Sequence, residues 1–502
     1  MSSYLTNQTN WILFFSALLA TSILTPWVMK LARRLSIVDR GGYRRVTKDG
    51  LIPLMGGLAV AAPFLAVCLF GYFSQAGLFA ATSRPHSDFL VLAGGCVAIL
   101  ILGVFDDKFS LRARTKLAAQ VLVAVFLCWA GQTMTALDLP VVGHIELALP
   151  WGIAITVLWL VGLTNAFNII DGVDGLAAGI ALIASIGFMV LGGMVDRIFV
   201  VLLGAALAGS LVAFLAFNFP PARVFLGDTG SMFLGFALAS MALMGDQKSQ
   251  AAAIFLAPIL MLGFPILETL VSMGRRFLRG QPLFAADDKH THHRLFRRGL
   301  SQRQTVLLLY GVAILLTIAA ILQHVVPPQS KWVWIPYAVY LLTVLGIAWV
   351  AGYIGSPEAM GVLFRRRSRN ALLNAMSRYA VLALSTDNGG ADADDILGVV
   401  RKQTRLSFVA AWLEEGRVLI GSSGSPLDDS GQTPRLDSIE RFRVKGLNGN
   451  SIIVRFQFDH APAESEIDDV SACLARIFEE SKIRRTALSK SSSKILQMSR
   501  YA

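Results

Sequence analysis

Long apolar runs alternate with short polar stretches from the first residues to about Gly355, and beyond that point the pattern becomes that of an ordinary soluble chain. A helix crossing a hydrocarbon core of about 30 Å needs roughly 20 apolar residues. Runs of that order fall at 11–30, 53–73, 88–105, 116–134, 150–170, 176–195, 198–217, 231–246, 250–273, 304–323 and 333–355. This pattern predicts an all-α polytopic membrane protein of about eleven transmembrane helices over 1–355, followed by a small soluble α+β domain over 356–502. Met1–Asn10 carries no Lys or Arg, so it lacks the basic start of a cleaved signal peptide. The first basic residues, Lys30, Arg33 and Arg34, follow the first run, which predicts a retained helix with its N-terminus outside. In the tail, helices are expected at 371–385, 393–404 and Glu464–Ser489, and strands at Ser407–Glu414, Arg417–Gly421, Arg441–Lys445 and Ser451–Phe458. The loop from Ser422 to Pro434 is rich in turn residues.

Composition agrees with lipid burial: 54% of the 502 residues are hydrophobic and 16% charged, against about 25% charged in a typical soluble domain. Charge also settles which connections share a side. Alternate connections hold seven Lys and Arg over Lys30–Lys48, four over Phe105–Lys116 and eight over Gly274–Arg303. The opposite connections hold Arg84, Arg197, Lys248 and Lys331 singly. Cytoplasmic loops collect Lys and Arg, so the basic set and the tail are read as cytoplasmic. The net charge of +12 is then mostly topological and calls for no nucleic acid. Arg365–Arg369 follows the last run and suits anionic lipid, or serves only as a stop-transfer cluster. Cys68, Cys96, Cys128 and Cys473 have no metal-ligand spacing, and three of them sit in apolar runs, which argues against a disulfide framework or a zinc site.

Four polar constellations fall on the basic side. Asp106-Asp107 closes the third run, with Lys116 opening the fourth. A carboxylate pair can hold Mg²⁺ through oxygen or supply a base; the bland alternative is a solvated helix end paired to Lys108, Arg112 or Arg114. Asn165, Asn168, Asp171 and Asp174 recur at spacings of three, with Gly172 and Gly175 between and after the acids. At a helix end such spacing gathers side chains on one face. A polar turn alone would not need two Asn in the last turn of an apolar helix. Gly227-Asp228-Thr229-Gly230-Ser231 opens the eighth run, where backbone N–H groups favour phosphate and Asp228 can add a metal ligand; Asp and Ser also cap helices. Finally, Asp287-Asp288-Lys289-His290-Thr291-His292-His293-Arg294 lies in the most basic loop. Its histidines lack the spacing of a helical zinc motif, and its cations suit an anion, Arg offering a planar fork to diphosphate. Acids for Mg²⁺, amides and a basic loop on one face suit phosphoryl transfer, where positioning and charge neutralisation carry most of the catalysis.

These four motifs, in this order, resemble the polyprenyl-phosphate N-acetylhexosamine-1-phosphate transferases over roughly residues 10–355. His290-Thr291-His292-His293-Arg294-Leu295 is similar to the WecA and TagO branch, with Thr291 standing where an aliphatic residue is usual; the MraY branch tends to carry three consecutive histidines. The resemblance implies transfer of a sugar-1-phosphate from a UDP-N-acetylhexosamine, here UDP-GlcNAc, to undecaprenyl phosphate with release of UMP, at a bacterial inner membrane. It implies Mg²⁺ as cofactor, with Mn²⁺ as a substitute. It places Asp106 and Asp107 as catalytic acids and Asn168 and Asp228 as metal ligands. Lys116, Asn165, Asp171, Asp174, His290, His292, His293 and Arg294 form the substrate-binding set. One-step attack by the lipid phosphate and a two-step route through an aspartyl-phosphate are both open. So are the downstream polymers: O-antigen of a lipopolysaccharide, common antigen, teichoic linkage unit or exopolysaccharide. The tail lies outside the resemblance, and regulation, docking of a partner and homodimer packing are all open to it.

Two other classes explain less. A transporter or flippase would place its charges near mid-membrane or in broken helices of paired halves, whereas here they cluster at one interface. A sensor active through its tail leaves four polar motifs without a role. Within the enzyme class the alternative is an MraY-like phospho-MurNAc-pentapeptide transferase.

Overall fold

The computed structural model describes residues 8–39, 52–74, 87–139, 143–245, 256–278, 290–326, 330–350, 393–404, 406–413, 418–424, 440–445, 451–458, 470–471 and 473–475. The chain divides into two compact units, Met1–Met273 with Ala286–Gly355, and Gly274–Ala285 with Ser356–Ala502.

The first unit is helical. In chain order it contains α1 (Gln8–Arg34), α2 (Gly56–Phe73), α3 (Ser87–Phe109), α4 (Ala113–Trp129), α5 (Leu149–Ile170), α6 (Leu176–Met194), α7 (Ile198–Asn218) and α8 (Gly227–Gly245). After these come α9 (Leu256–Met261), α10 (Gly263–Leu278, assigned to the second unit beyond Met273), α11 (Thr291–Arg297), α12 (Gln302–Val325) and α13 (Ile335–Val350). Among the described residues seven helices, α1, α2, α3, α5, α6, α7 and α12, are long and apolar enough to cross a membrane. The chain is therefore a polytopic, mostly helical membrane protein. The remaining expected runs fall on α4, α8, α9 with α10, and α13. The run expected at 250–273 is interrupted at Leu262, because Pro265 has no N–H to offer the Met261 carbonyl. The fourth run ends early, at Trp129, and residues after it form a hairpin that hydropathy did not anticipate: β1 (Ala136–Leu139) against β2 (Gly143–Glu146), antiparallel with Ala136 facing Glu146.

Burial orders the bundle. In α7, 89% of the apolar window is inside the protein, against 17% in α1, so α7 is the central helix and α1 a peripheral one. Around α7 pack α1, α2 and α6, while α8 is flanked by α3 and α5. The outer faces carry Trp11, Trp27, Trp129, Leu158 and Trp349, each more than half exposed. An apolar exterior of this extent belongs against lipid. The start of α12 shows local sequence control: Ser301 accepts the Gln304 N–H while the Gln304 side chain accepts the Ser301 N–H. This reciprocal cap satisfies two donors that the first helical turn leaves over.

The second unit contains α14 (Ala393–Thr404) and the strands β3 (Leu406–Leu413), β4 (Val418–Gly424), β5 (Glu440–Lys445) and β6 (Ser451–Phe458) in an antiparallel sheet of order β4-β3-β6-β5. Val409 and Ala411 of β3 and Val454 and Phe456 of β6 are buried at alternate positions, as a half-covered sheet requires, and α14 packs on β3 and β4. Of the expected helix Glu464–Ser489, residues 470–471 and 473–475 are described and helical, with Val470, Cys473 and Leu474 buried. The expected helix 371–385 and the Arg365–Arg369 cluster lie outside the described residues.

Candidate active site

Four helix ends meet at one end of the first unit. They are the C-termini of α3 and α5 and the N-termini of α4 and α8. Close contact between α3 and α8 depends on Gly103, since a Cβ there would lie 2.4 Å from the Thr229 Cα. Gly227, at φ +74°, turns the chain into α8, and a Cβ on it would meet the Asp107 carboxylate at 2.6 Å. The start of α2 is tied to the same turn: the Gly56 and Gly57 N–H groups donate to the Phe225 and Leu226 carbonyls, each at 3.0 Å.

Asp106 and Asp107 are not a solvated helix end. Asp106 is 2% exposed; its Oδ1 accepts the Leu111 N–H at 2.8 Å and its Oδ2 is ion-paired with Lys116. Lys108, one of the expected bland partners, lies over the Phe109 ring instead. Asp107 faces α8: Oδ1 accepts the Asp228 N–H at 2.8 Å, and Oδ2 accepts the Thr229 N–H at 3.1 Å and the Thr229 hydroxyl at 2.5 Å. The amides expected to face phosphate at the start of α8 are thus taken by an internal carboxylate, a stabilising partner for a helix N-terminus.

Asp228 is held from two sides. Lys116 Nζ donates to its Oδ2 at 3.0 Å and Asn168 Nδ2 to its Oδ1 at 2.6 Å, with Ser231 Oγ 3.0 Å from the same amide nitrogen. Asp106, Asp228 and Lys116 therefore form one ionic cluster from α3, α8 and α4. Asn165, one turn before Asn168, points its amide to Gln120 Oε1 of α4 at 2.6 Å and to the Val161 carbonyl at 2.8 Å.

Asp106, Asp107, Asn168, Asp171, Asp174 and Asp228 line one cavity of about 240 Å³, shared with Asp39 and Asn218. The turn 171–175 that forms one wall is braced from below. Asp174 Oδ2 accepts the Ala222 N–H at 3.1 Å. Asn218 Oδ1 accepts the Gly175 N–H at 3.0 Å, and the Tyr310 hydroxyl donates to the Gly175 carbonyl at 2.6 Å. Asn218, Tyr310 and Asp39 lie outside the four motifs read from sequence. Asn218 carried the same signal as Asn165 and Asn168, an amide in the last turn of an apolar helix.

His290, His292 and His293 cluster at α11, with ring centroids 5.5 Å apart for His290–His292 and 4.3 Å for His292–His293. His292 reaches the acidic turn: its Nε2 lies 3.2 Å from where a Cβ on Gly172 would be. Arg294 is in α11, its N–H bonded to the His290 carbonyl at 3.1 Å; Asp287, Asp288 and Lys289 lie outside the described residues. Thus the structure brings the fourth motif beside the second.

The donor set suits a hard cation. The polar cavity lining is carboxylate and amide with one hydroxyl, without sulfur or imidazole, and two of its carboxylates already converge on one positive charge at Lys116. Among the described residues no three His, Cys, Asp or Glu form a ready metal cage. Mg²⁺ is commonly held by one or two carboxylates and completes its shell with water and substrate phosphate.

The model of glycosyl transferase family 4 matches residues 89–246. A probable undecaprenyl-phosphate N-acetylglucosaminyl 1-phosphate transferase of Bacillus subtilis is 35% identical over 347 residues, covering 68% of this chain and 92% of that protein. A decaprenyl-phosphate N-acetylglucosaminephosphotransferase of Mycolicibacterium smegmatis is 34% identical over 319 residues, 59% of this chain and 77% of that one. A phospho-N-acetylmuramoyl-pentapeptide-transferase of Halalkalibacterium halodurans is 31% identical over 319 residues, covering 60% and 93%. The chain belongs to glycosyl transferase family 4, among the polyprenyl-phosphate N-acetylhexosamine-1-phosphate transferases.

Proposed function

We propose that this protein transfers GlcNAc-1-phosphate from UDP-GlcNAc to undecaprenyl phosphate, at the cytoplasmic face of a bacterial inner membrane that the chain crosses about eleven times. The observation that carries the reading is the cluster in which Asp106 and Asp228 converge on one cation beside Asn168, in a cavity bounded by helix ends. The relatives named for GlcNAc-1-phosphate transfer support the sugar, and the basic connections support the orientation.

In this reading an oxygen of the lipid phosphate forms a bond to the β-phosphorus of the nucleotide sugar. The bond from that phosphorus to the bridging oxygen breaks, and UMP leaves with the electron pair. A phosphate monoester is largely dianionic near neutral pH, so the attacking oxygen needs little help from a base. Lys116 offers positive charge to the phosphates, and Asp106 holds that ammonium in place. Asp107 is assigned to positioning, because both its oxygens are engaged with the start of α8. Asp228 and Asn168 would hold Mg²⁺, which when bound offsets charge on the diphosphate. Asp171 and the histidines His292 and His293 face the nucleotide sugar, with Arg294 on the diphosphate.

The test is UMP release by the purified full chain with undecaprenyl phosphate, Mg²⁺ and UDP-GlcNAc, with UDP-MurNAc-pentapeptide in parallel and Asp228→Ala as control. Lipid-dependent, EDTA-sensitive release from UDP-GlcNAc, lost in the variant, is expected. Release from the muramyl nucleotide alone would move the assignment to the MraY-like branch. No release from either by folded protein would overturn it.

A further inference from the structure

Glu268 is an acid inside an apolar run, on α10, and only 3% exposed. A buried carboxylate needs donors or it shifts toward its neutral form. Here three donors converge on it, all from the two residues that open the histidine segment. His290 Nδ1 lies 3.1 Å from Oε1, the Thr291 N–H donates to Oε1 at 2.9 Å, and the Thr291 hydroxyl donates to Oε2. His290 and Thr291 are themselves buried, 9% and 4% exposed. Glu268 and Thr291 also border a mostly apolar cavity of about 70 Å³, whose other lining residues come from α10, α12 and α13. The contacts of Glu268 therefore run to the histidine segment, and this carboxylate caps the start of α11, where the His290 side chain provides no cap.

We infer that Glu268 is the positioning residue of the nucleotide-sugar loop: it fixes His290 in the tautomer with its proton on Nδ1 and, with Thr291, sets where α11 begins. An ionised carboxylate only accepts, so Nδ1 must donate, and Nε2 becomes the nitrogen His290 has for substrate. The effect reaches the cavity through the stack of His290 on His292 and the approach of His292 to Gly172. Thr291 has a purpose here that an aliphatic residue could not serve: its hydroxyl satisfies the second carboxylate oxygen.

The inference rests on the proposed transferase reading, and the test keeps the two apart. In the full chain, Glu268→Gln removes one acceptor oxygen while keeping shape. It is expected to raise KM for UDP-GlcNAc about ten-fold, in line with the loss of a buried charge-assisted bond. Both kcat and the KM for undecaprenyl phosphate should stay within about two-fold, because the variant leaves the acidic cluster intact. Thr291→Ser should behave as wild type and Thr291→Val should raise the same KM by a smaller factor. In a His290→Ala background, Glu268→Gln should add less than in the wild type, the remainder passing through Thr291. Independently of activity, NMR of isotopically labelled histidine should show one ring locked with its proton on Nδ1 in the wild type and released in Glu268→Gln. An unchanged KM, an equal effect on both substrates, or no locked tautomer would overturn the inference. A wild type that released no UMP would remove the functional reading and still leave the tautomer to decide the role of Glu268.

Discussion

The acidic wall of the cavity and the histidine segment, a second wall beside it and outside its lining, are built differently. The acidic wall, Asp106, Asp107, Asn168 and Asp228, rides on long helices whose ends are bonded to one another, so each side chain has partners from at least one other helix. The histidine wall rides on the seven residues of α11, with one buried carboxylate at its start. Precision in a phosphoryl-transfer site comes from groups held before substrate arrives, and the acidic wall meets that demand. The family match follows this division: it spans 89–246, which contains every acid of the first wall and stops before the histidines. Relatives named for N-acetylglucosamine and for N-acetylmuramoyl-pentapeptide both align with this chain.

The strongest way to break this comparison is to remove charge from the acidic wall. Asp106→Asn should lower kcat about 10³-fold, the scale of losing a preorganised electrostatic group, with the fold intact by size-exclusion chromatography and thermal unfolding. A fall of less than ten-fold would mean that the Asp106–Lys116–Asp228 cluster only holds helices together. Asp107→Asn sharpens the distinction within the pair. Asn retains one acceptor oxygen for the start of α8, so the loss should be at least ten-fold smaller than for Asp106→Asn, and Thr229→Val should resemble it. Equal losses at 106 and 107 would return Asp107 to the chemistry.

Much of this was legible in the chain. Among the described residues every apolar run meets a helix, though the fourth stops at Trp129 and the ninth breaks at Leu262, and the polar motifs are recognisable because Asp106, Asn168 and Asp228 stand at the edges of runs where ionisable and amide groups are costly without a purpose. What pairing they make was not legible. Nothing near Asp107 in sequence says that its oxygens bond to residues 121 and 122 positions away. Local cations suggest Lys108, Arg112 or Arg114 as partners, while tertiary packing selects Lys116 and α8. Glu268 is the lone acid in its run but is not singled out from sequence, because its meaning depends on α11 reaching it from 22 residues on. The β1–β2 hairpin was missed because four-residue strands carry too little alternation to stand out between apolar helices.

Packing offers a middle-sized test. Gly103→Ala puts a methyl group within 2.4 Å of the Thr229 backbone, so α3 and α8 must separate. Overpacking of this kind costs about 1–3 kcal/mol, to be read as a lowered midpoint of thermal unfolding in detergent, with activity lost in step because Asp107 then releases α8. Wild-type stability would show that the acidic wall is looser than its hydrogen bonds indicate.

The smallest effect is expected where the walls meet. Tyr310 of α12 donates to the Gly175 carbonyl, bracing the turn that carries Asp171 and Asp174 without lining the cavity itself. Tyr310→Phe keeps the ring that packs against Gly179 and deletes one neutral hydrogen bond, worth about 1 kcal/mol. If the turn is held mainly by Asn218 and Asp174, the variant should lose only a few-fold in kcat/KM for UDP-GlcNAc and nothing in KM for the lipid phosphate. Asn218→Ala should lose more, since it removes both the bond to the Gly175 N–H and the one to the Val224 carbonyl. A larger loss in Tyr310→Phe than in Asn218→Ala would place the brace on α12. The acidic turn would then depend on the helix that follows the histidine segment, and the two walls would move as one.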